Sequence, residues 1–375
     1  MERLYPNMIL DALRNVKYPG NGKDLVTNGM VEDDIRIDGN KVSFSLIFDK
    51  STDPFIRSVV RAAETAINTY ISPEVDIRGN IAVKYRKPAE EKKQIEVLPG
   101  VKNIIGVSSG KGGVGKSTVA ANLAVALAAK GYKVGLLDAD IFGPSMPKMF
   151  GVEDEPIYMV KEQGRDWIEP IKKFGVKMLS IGFLVDKSKA VMWRGSMASN
   201  ALRQLITDAW WEDLDYFIID MPPGTSDIHL TLVQTLAITG VVVVSTPQEV
   251  ALADARKGIS MFQDEKINVP VLGLVENMAW FTPAPHPDEK YYIFGEGGAR
   301  RLAEEMGVEL LAEIPLVMNI REKSDSGEPV AVILENDPSA ANSEARAFGR
   351  LAENVISAVT RRNETLQPTK KVEIK

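Results

Sequence analysis

Residues 104–128 constrain this chain more than any other stretch. The apolar run Ile104-Ile105-Gly106-Val107 has the composition of a buried strand. Val119-Ala120-Ala121-Asn122-Leu123-Ala124-Val125-Ala126-Leu127-Ala128 has that of an alanine-rich helix. Between them stands Gly110-Lys111-Gly112-Gly113-Val114-Gly115-Lys116-Ser117-Thr118. Strand, G-x-x-x-x-G-K-S loop and helix, in that order, form a phosphate-binding P-loop. The glycines let backbone N–H groups converge on phosphate oxygens, and the helix N-terminus adds positive potential. Lys116 is placed for the β- and γ-phosphates and the Ser117 hydroxyl for Mg²⁺.

A P-loop implies an α/β fold with a doubly wound, mostly parallel sheet, and the downstream sequence supplies its strands. Val134-Gly135-Leu136-Leu137 ends in Asp138-Ala139-Asp140. Carboxylates just past a parallel strand point into the crevice where such sheets bind ligands. Asp138 is expected to serve the metal through bound water and Asp140 to position an attacking water. Tyr216-Phe217-Ile218-Ile219-Asp220 repeats the pattern, and Asp220 fits the Walker-B role of holding Mg²⁺. The stiff turn Met221-Pro222-Pro223-Gly224-Thr225 follows, suited to sensing the γ-phosphate. Val241 to Val244 and Val271 to Asn277 read as further buried strands, and Gly195 to Trp211 and Val250 to Phe262 as helices. Residues 167–173 and 176–181 read as an antiparallel insertion. An amide at Asn277 can pair with the donor–acceptor edge of adenine. No Asn-Lys-x-Asp guanine signature is present, so ATP is expected rather than GTP.

Residues 1–87 read as a small α+β domain. Ile9 to Val16 is a helix, Val31–Ile37 and Val42–Phe48 are strands around Asp38-Gly39-Asn40, Pro54 to Tyr70 is a helix, and a last strand falls near Val75–Val83. A charged linker is expected over 88–101, the nucleotide domain over 102–362, with helices near 297–306 and 338–362 flanking the strand Leu310–Ile314, and a flexible tail over 363–375. The chain has 45 basic and 51 acidic residues, interspersed, which argues against a general nucleic-acid surface. No stretch is apolar for the roughly 18 residues of a membrane span. The start, Met1-Glu2-Arg3-Leu4-Tyr5-Pro6, has no apolar signal core, so a cytoplasmic protein is expected. There is no cysteine, which excludes disulfides, zinc–thiolate sites and thiol catalysis.

Lys111 is not required by a general P-loop. The stretch Lys111 to Thr118 is similar to the deviant Walker loop of MinD/ParA-type ATPases, which implies a homodimer in which Lys111 reaches the partner's phosphates. Leu98-Pro99-Gly100-Val101-Lys102-Asn103, Asp138-Ala139-Asp140-Ile141-Phe142-Gly143-Pro144-Ser145, Trp193-Arg194-Gly195, Asp220-Met221-Pro222-Pro223-Gly224-Thr225-Ser226-Asp227 and Thr246-Pro247-Gln248 narrow the match. Together they resemble the Mrp (ApbC) family of iron–sulfur cluster carrier ATPases, from about Leu98 to Arg362. Gly22-Lys23-Asp24-Leu25-Val26 and Gly29-Met30-Val31 resemble the small domain of iron–sulfur assembly proteins. The resemblance implies ATP hydrolysis with Mg²⁺, a bridging iron–sulfur cluster, and assembly proteins or apo-protein clients as partners.

One departure is plain. Members of that family carry a Cys-x-x-Cys pair after the strand ending in Asn277, and here Pro283 and His286 stand at those places. Asp53 stands where relatives of the small domain often have cysteine. Cluster iron wants thiolates. His286, Asp288 and Glu289 are harder ligands, and Pro283, Pro285 and Pro287 favour an extended segment. Two other readings are a partner-positioning ATPase with no cluster role, and a scaffold that binds nucleotide without turning it over.

Overall fold

The computed structural model describes residues 4–50, 52–85, 97–141, 143–184, 195–283, 286 and 289–372. It divides into two compact units, Met1–Ile95 and Glu96–Lys375. Most of the charged segment 88–101, and Trp193 and Arg194, lie outside the described residues.

The first unit holds α1 (Pro6–Leu13), β1 (Arg36–Asp38), β2 (Lys41–Phe48), α2 (Ile56–Tyr70) and β3 (Ile81–Tyr85). Its sheet has the order β1-β2-β3, antiparallel then parallel. Ile9 and Leu13 of α1, Phe44 and Leu46 of β2, and Val59 and Ile67 of α2 share one core. The strand expected over Val31–Ile37 is shorter, because Val31 makes only an isolated bridge to Leu46. The last strand starts at Ile81 rather than Val75, since Val75 and Ile77 are buried outside it.

The second unit runs β4 (Val101–Ser109), α3 (Lys116–Ala129), β5 (Val134–Asp138), α4 (Met146–Met149), β6 (Met159–Glu162), β7 (Arg165–Ile168), β8 (Ile171–Lys173), β9 (Val176–Ser180), α5 (Gly195–Thr207) and β10 (Leu214–Asp220). It continues with α6 (Asp227–Thr235), β11 (Gly240–Ser245), α7 (Glu249–Gln263), β12 (Val271–Phe281), α8 (Gly298–Met306), β13 (Leu310–Leu316), α9 (Met318–Asp325), α10 (Ile333–Asn336) and α11 (Ser343–Thr365). Eight strands form one sheet in the order β13-β12-β11-β4-β10-β5-β9-β8. Neighbours are parallel except β8 against β9. Side chains alternate across the pleat and so fill two cores. Ile104 and Val241 face Leu202 of α5 and Leu232 of α6, whereas Ile105 and Val242 face Leu123 of α3 and Phe348 of α11. Helices on both faces explain why these strands read as unbroken apolar runs.

Three readings of the sequence change. The antiparallel pairing expected of 167–173 with 176–181 is found between β8 and β9, but it is part of the main sheet: β9 also joins β5 in parallel, with Val176, Met178 and Leu179 buried in the two cores, and β6–β7 is a separate ribbon. The helix begun at Gly195 stops at Thr207, and Trp211 is buried, its Nε1 donating to the Leu205 carbonyl at 3.1 Å. The flexible tail expected from 363 is held: α11 runs on to Thr365, Arg362 donates to the Gln367 carbonyl, and the Val372 N–H donates to the Val233 carbonyl at 3.0 Å. Asn363 Nδ2 also donates to Asn103 Oδ1 at 2.9 Å, and Val97, Leu98 and Val372 pack on the same core. Among the described residues no helix is long and apolar enough to cross a membrane.

The register decides what meets at the carboxyl edge. Asp220 is level with Asp138 on one side and Val107 on the other. Gly110, just past β4, packs on α7: a Cβ there would stand 2.1 Å from the Asp254 carbonyl carbon and 2.4 Å from Ala255 N. At Gly112 a Cβ would meet nothing within 4 Å. Gly110→Ala is therefore expected to destabilise this unit by about 1–3 kcal/mol. Gly112→Ala should stay within about 0.5 kcal/mol of the parent. Urea unfolding of both variants checks this, and equal midpoints would contradict the packing argument.

Candidate nucleotide site

The P-loop takes its shape from two glycines with left-handed backbone, Gly113 at φ +84° and Gly115 at φ +81°. Gly115 caps α3, whose first turn carries no acidic residue, so the positive end of the helix faces the loop unopposed by its own side chains. Lys116 opens that helix and is only 5% exposed. Its Nζ lies 2.5 Å from Asp220 Oδ1, 3.6 Å from Asp140 Oδ2 and 3.3 Å from Ser117 Oγ. The structure thus brings together Lys116, Ser117, Asp140 and Asp220.

Asp220 ends β10 and is fully buried, and its Oδ2 has no hydrogen-bond partner among the described residues. Burial pushes its carboxyl above the usual range, and the Lys116 charge pulls it back. An unpartnered acceptor of this kind suits a cation or its bound water. Among the described residues no three His, Cys, Asp or Glu side chains converge on a common metal position.

Asp138 is turned to a different use. Its Oδ1 accepts the Asp140 N–H at 3.2 Å, and its Oδ2 accepts the Met146 N–H at 3.2 Å and the Ser180 hydroxyl at 2.8 Å. Burial, then the neighbouring Asp220 charge, pushes its carboxyl up to about 7. Both oxygens are engaged by its own surroundings, so its geometry is that of a brace for Asp140. Asn277 is buried against the loop: its Nδ2 donates to the Val114 carbonyl at 2.8 Å, and a Cβ on Gly115 would stand 2.2 Å from that nitrogen. Lys111 is half-buried, and its ammonium makes no ion pair among the described residues. The turn after Asp220 is tied to β4, with the Met221 N–H on the Val107 carbonyl at 3.0 Å and the Gly224 N–H on the Ser109 carbonyl at 2.8 Å.

Sequence reasoning missed three residues. Ser180, on β9, holds Asp138. Glu276, buried beside Asn277, accepts the Ala299 N–H at 2.6 Å and so joins β12 to the start of α8, burial raising its pKa. His229 is the glutamine-like partner in a capping box opened by Ser226, and the three-residue spacing was the available signal.

The stretch with Pro283 and His286 follows the end of β12, and residues 284, 285, 287 and 288 within it lie outside the described residues. β12 continues to Phe281, which exchanges two 2.8 Å backbone hydrogen bonds with Tyr291. The His286 N–H donates to the Pro283 carbonyl at 2.9 Å and the Glu289 N–H to the His286 carbonyl at 3.1 Å, while most of the segment for which the prolines predict an extended course lies outside the described residues. His286 is exposed, with Nδ1 3.4 Å from Glu289 Oε1; Pro285, Pro287 and Asp288 lie outside the described residues. Asp53 is spent locally, accepting the Tyr18 hydroxyl and the Phe55 N–H. A cavity of about 540 Å³ lined by Lys133, Lys177 and Trp210 lies apart from the P-loop residues.

Comparison with known proteins agrees with this geometry. Residues 100–356 match the ParA family, described as NUBPL iron-transfer P-loop NTPase, and residues 6–76 match a family described as iron-sulfur cluster assembly protein. An iron-sulfur cluster carrier protein of Synechocystis is 41% identical over 358 residues, 95% of this chain and 98% of its own length. One of Pseudomonas fragi is 51% identical over 269 residues, 72% of this chain and 90% of its own. The solved structure of an Archaeoglobus fulgidus nucleotide-binding protein in complex with ADP has a TM-score of 0.55 at 39% identity, covering 65% of this chain and 94% of that one. A complete P-loop on a doubly wound sheet, with this similarity along nearly the whole chain, makes the protein a member of the NUBPL iron-transfer family of ParA-type P-loop NTPases.

Proposed function

We propose that the protein hydrolyses ATP with Mg²⁺ and works as a nucleotide-switched homodimer that serves iron–sulfur proteins. The observation that carries the reading is the buried set Lys116, Asp220 and Asp140 at the foot of a complete P-loop. Phosphate oxygens arriving at the loop would exchange one set of anions around Lys116 for another, at little extra desolvation cost. Ser117 and Asp220 would hold Mg²⁺, which supplies neutralisation of phosphate charge. Asp140, braced through its N–H by Asp138, would orient the attacking water. Asp138 accordingly acts through Asp140 in place of a metal contact. Asn277 keeps Oδ1 and its second amide hydrogen for the adenine edge. Lys111, half-buried in the loop at the position of the deviant Walker lysine, would reach toward a partner's phosphates.

The cluster is cargo. A [4Fe–4S] centre is usually held by four thiolates, and two copies of this chain supply none. Ligands from a client protein or from glutathione would hold any cluster in transit, or the ATP-driven step would remodel the client.

Lys116→Ala is expected to lower Mg²⁺-dependent phosphate release by a factor on the order of 10²–10³. Asp140→Ala should slow release while ATP stays bound in equilibrium dialysis; loss of binding would take the water-positioning role away from Asp140. Light scattering of the Asp140→Ala protein should give a dimer with ATP and a smaller species with ADP, and a monomer in both would rule out the switch. After anaerobic incubation with iron and sulfide and then desalting, the protein should show no sulfide-to-iron charge-transfer absorbance. A persistent band, lost in His286→Ala, would mean that this loop ligates iron without cysteine.

A further inference from the structure

His229 sits one turn inside α6 and is 1% exposed. Its ring spans the gap between the turn after Asp220 and the strand that feeds the P-loop. Nδ1 accepts the Ser226 backbone N–H at 3.2 Å, and Nε2 lies 3.5 Å from the Ser108 hydroxyl. Since Nδ1 is an acceptor, the single ring proton of the neutral form resides on Nε2 and points at Ser108. Burial pushes the imidazole pKa down to about 4, so this tautomer holds at neutral pH. The Phe262 ring, 6.2 Å away, backs the imidazole.

A helix cap alone does not require a buried imidazole, because a flexible glutamine at the same position completes a capping box. The ring adds a stiff link to Ser108. That link is the third of three ties between the turn and β4. The Met221 N–H on the Val107 carbonyl fixes the near end, and His229 fixes the far end through Ser226 and Ser108. Between them lies the Gly224 N–H on the Ser109 carbonyl, with Gly224 at φ +75°. With both ends held, the position of the Gly224 N–H beside the loop is set by these ties, and glycine is the residue that adopts this φ without strain.

We propose that His229 is a positioning residue: with Ser108 it anchors the far end of the turn Met221–Ser226, so that the turn answers to the terminal phosphate and separates triphosphate from diphosphate. This rests on the nucleotide reading of the P-loop given above.

The test uses the full chain, with calorimetric binding of ADP and of a non-hydrolysable ATP analogue, phosphate release and thermal melting. His229→Leu should bind ADP within about twofold of the parent but lose about tenfold of its preference for the triphosphate, the scale of one buried hydrogen bond. Its kcat should fall about tenfold with KM little changed. Ser108→Ala, which leaves the helix cap intact, should reproduce the loss, and the double variant should be no worse than either single one. Additive losses, or equal weakening of ADP and analogue with a lower melting temperature, would reduce His229 to a structural cap and overturn the proposal. If the parent binds both nucleotides but releases no phosphate, hydrolysis falls while the binding preference still decides His229. If the parent binds neither, both readings fall together.

Discussion

The pairing of Lys116 with Asp220 is the interaction on which the nucleotide domain turns. A buried ion pair is rarely a net source of stability, because two charges leave water for one contact. Here the pair joins α3 to the end of β10, and it can exist only if loop, helix and strand are in register. Removing either partner strands a charge in the interior, a cost of about 3–5 kcal/mol in comparable cases. The pair therefore ties the fold of this domain to the chemistry at its edge. The unpartnered second oxygen of Asp220 and the engaged oxygens of Asp138 divide two neighbouring carboxylates into one facing ligand and one facing protein.

Much of this was legible in the sequence. Apolar runs ending in Asp138 and Asp220 located strand ends, because a parallel sheet covered on both faces needs continuous apolar strands, whereas the strand expected to stop at Asn277 runs on to Phe281. The P-loop spacing located its lysine and serine for the same reason that it binds phosphate. What stayed hidden depended on register and on rotamers. Asp138 and Asp140 are indistinguishable as letters, and only the pairing of β5 with β9 brings Ser180 under Asp138 and fixes which acid faces the lysine. The β9 segment itself was misplaced because Val176 to Ser180 alternates weakly and follows a true antiparallel hairpin. His229 was passed over because a lone histidine on an apolar helix has no periodic signature.

The departure from the cluster-binding pattern has a structural counterpart. At Asp53 the carboxylate holds the start of α2 and the Tyr18 hydroxyl, which is a folding role. Beside the stretch that holds Pro283 and His286, Phe281 and Tyr291 exchange two backbone hydrogen bonds.

The segment after α11 has a practical meaning for anyone building with this domain. Val97 and Leu98 at its entry, and Val372 at its exit, pack on one core, and Asn363 bonds to Asn103 near the start of β4. Entry and exit thus share the amino-terminal edge of the sheet, across the strand length from the P-loop. A fluorescent protein or surface tether joined at either point leaves the phosphate-facing loops clear, and the neighbouring ends make the domain a natural candidate for cyclisation or circular permutation.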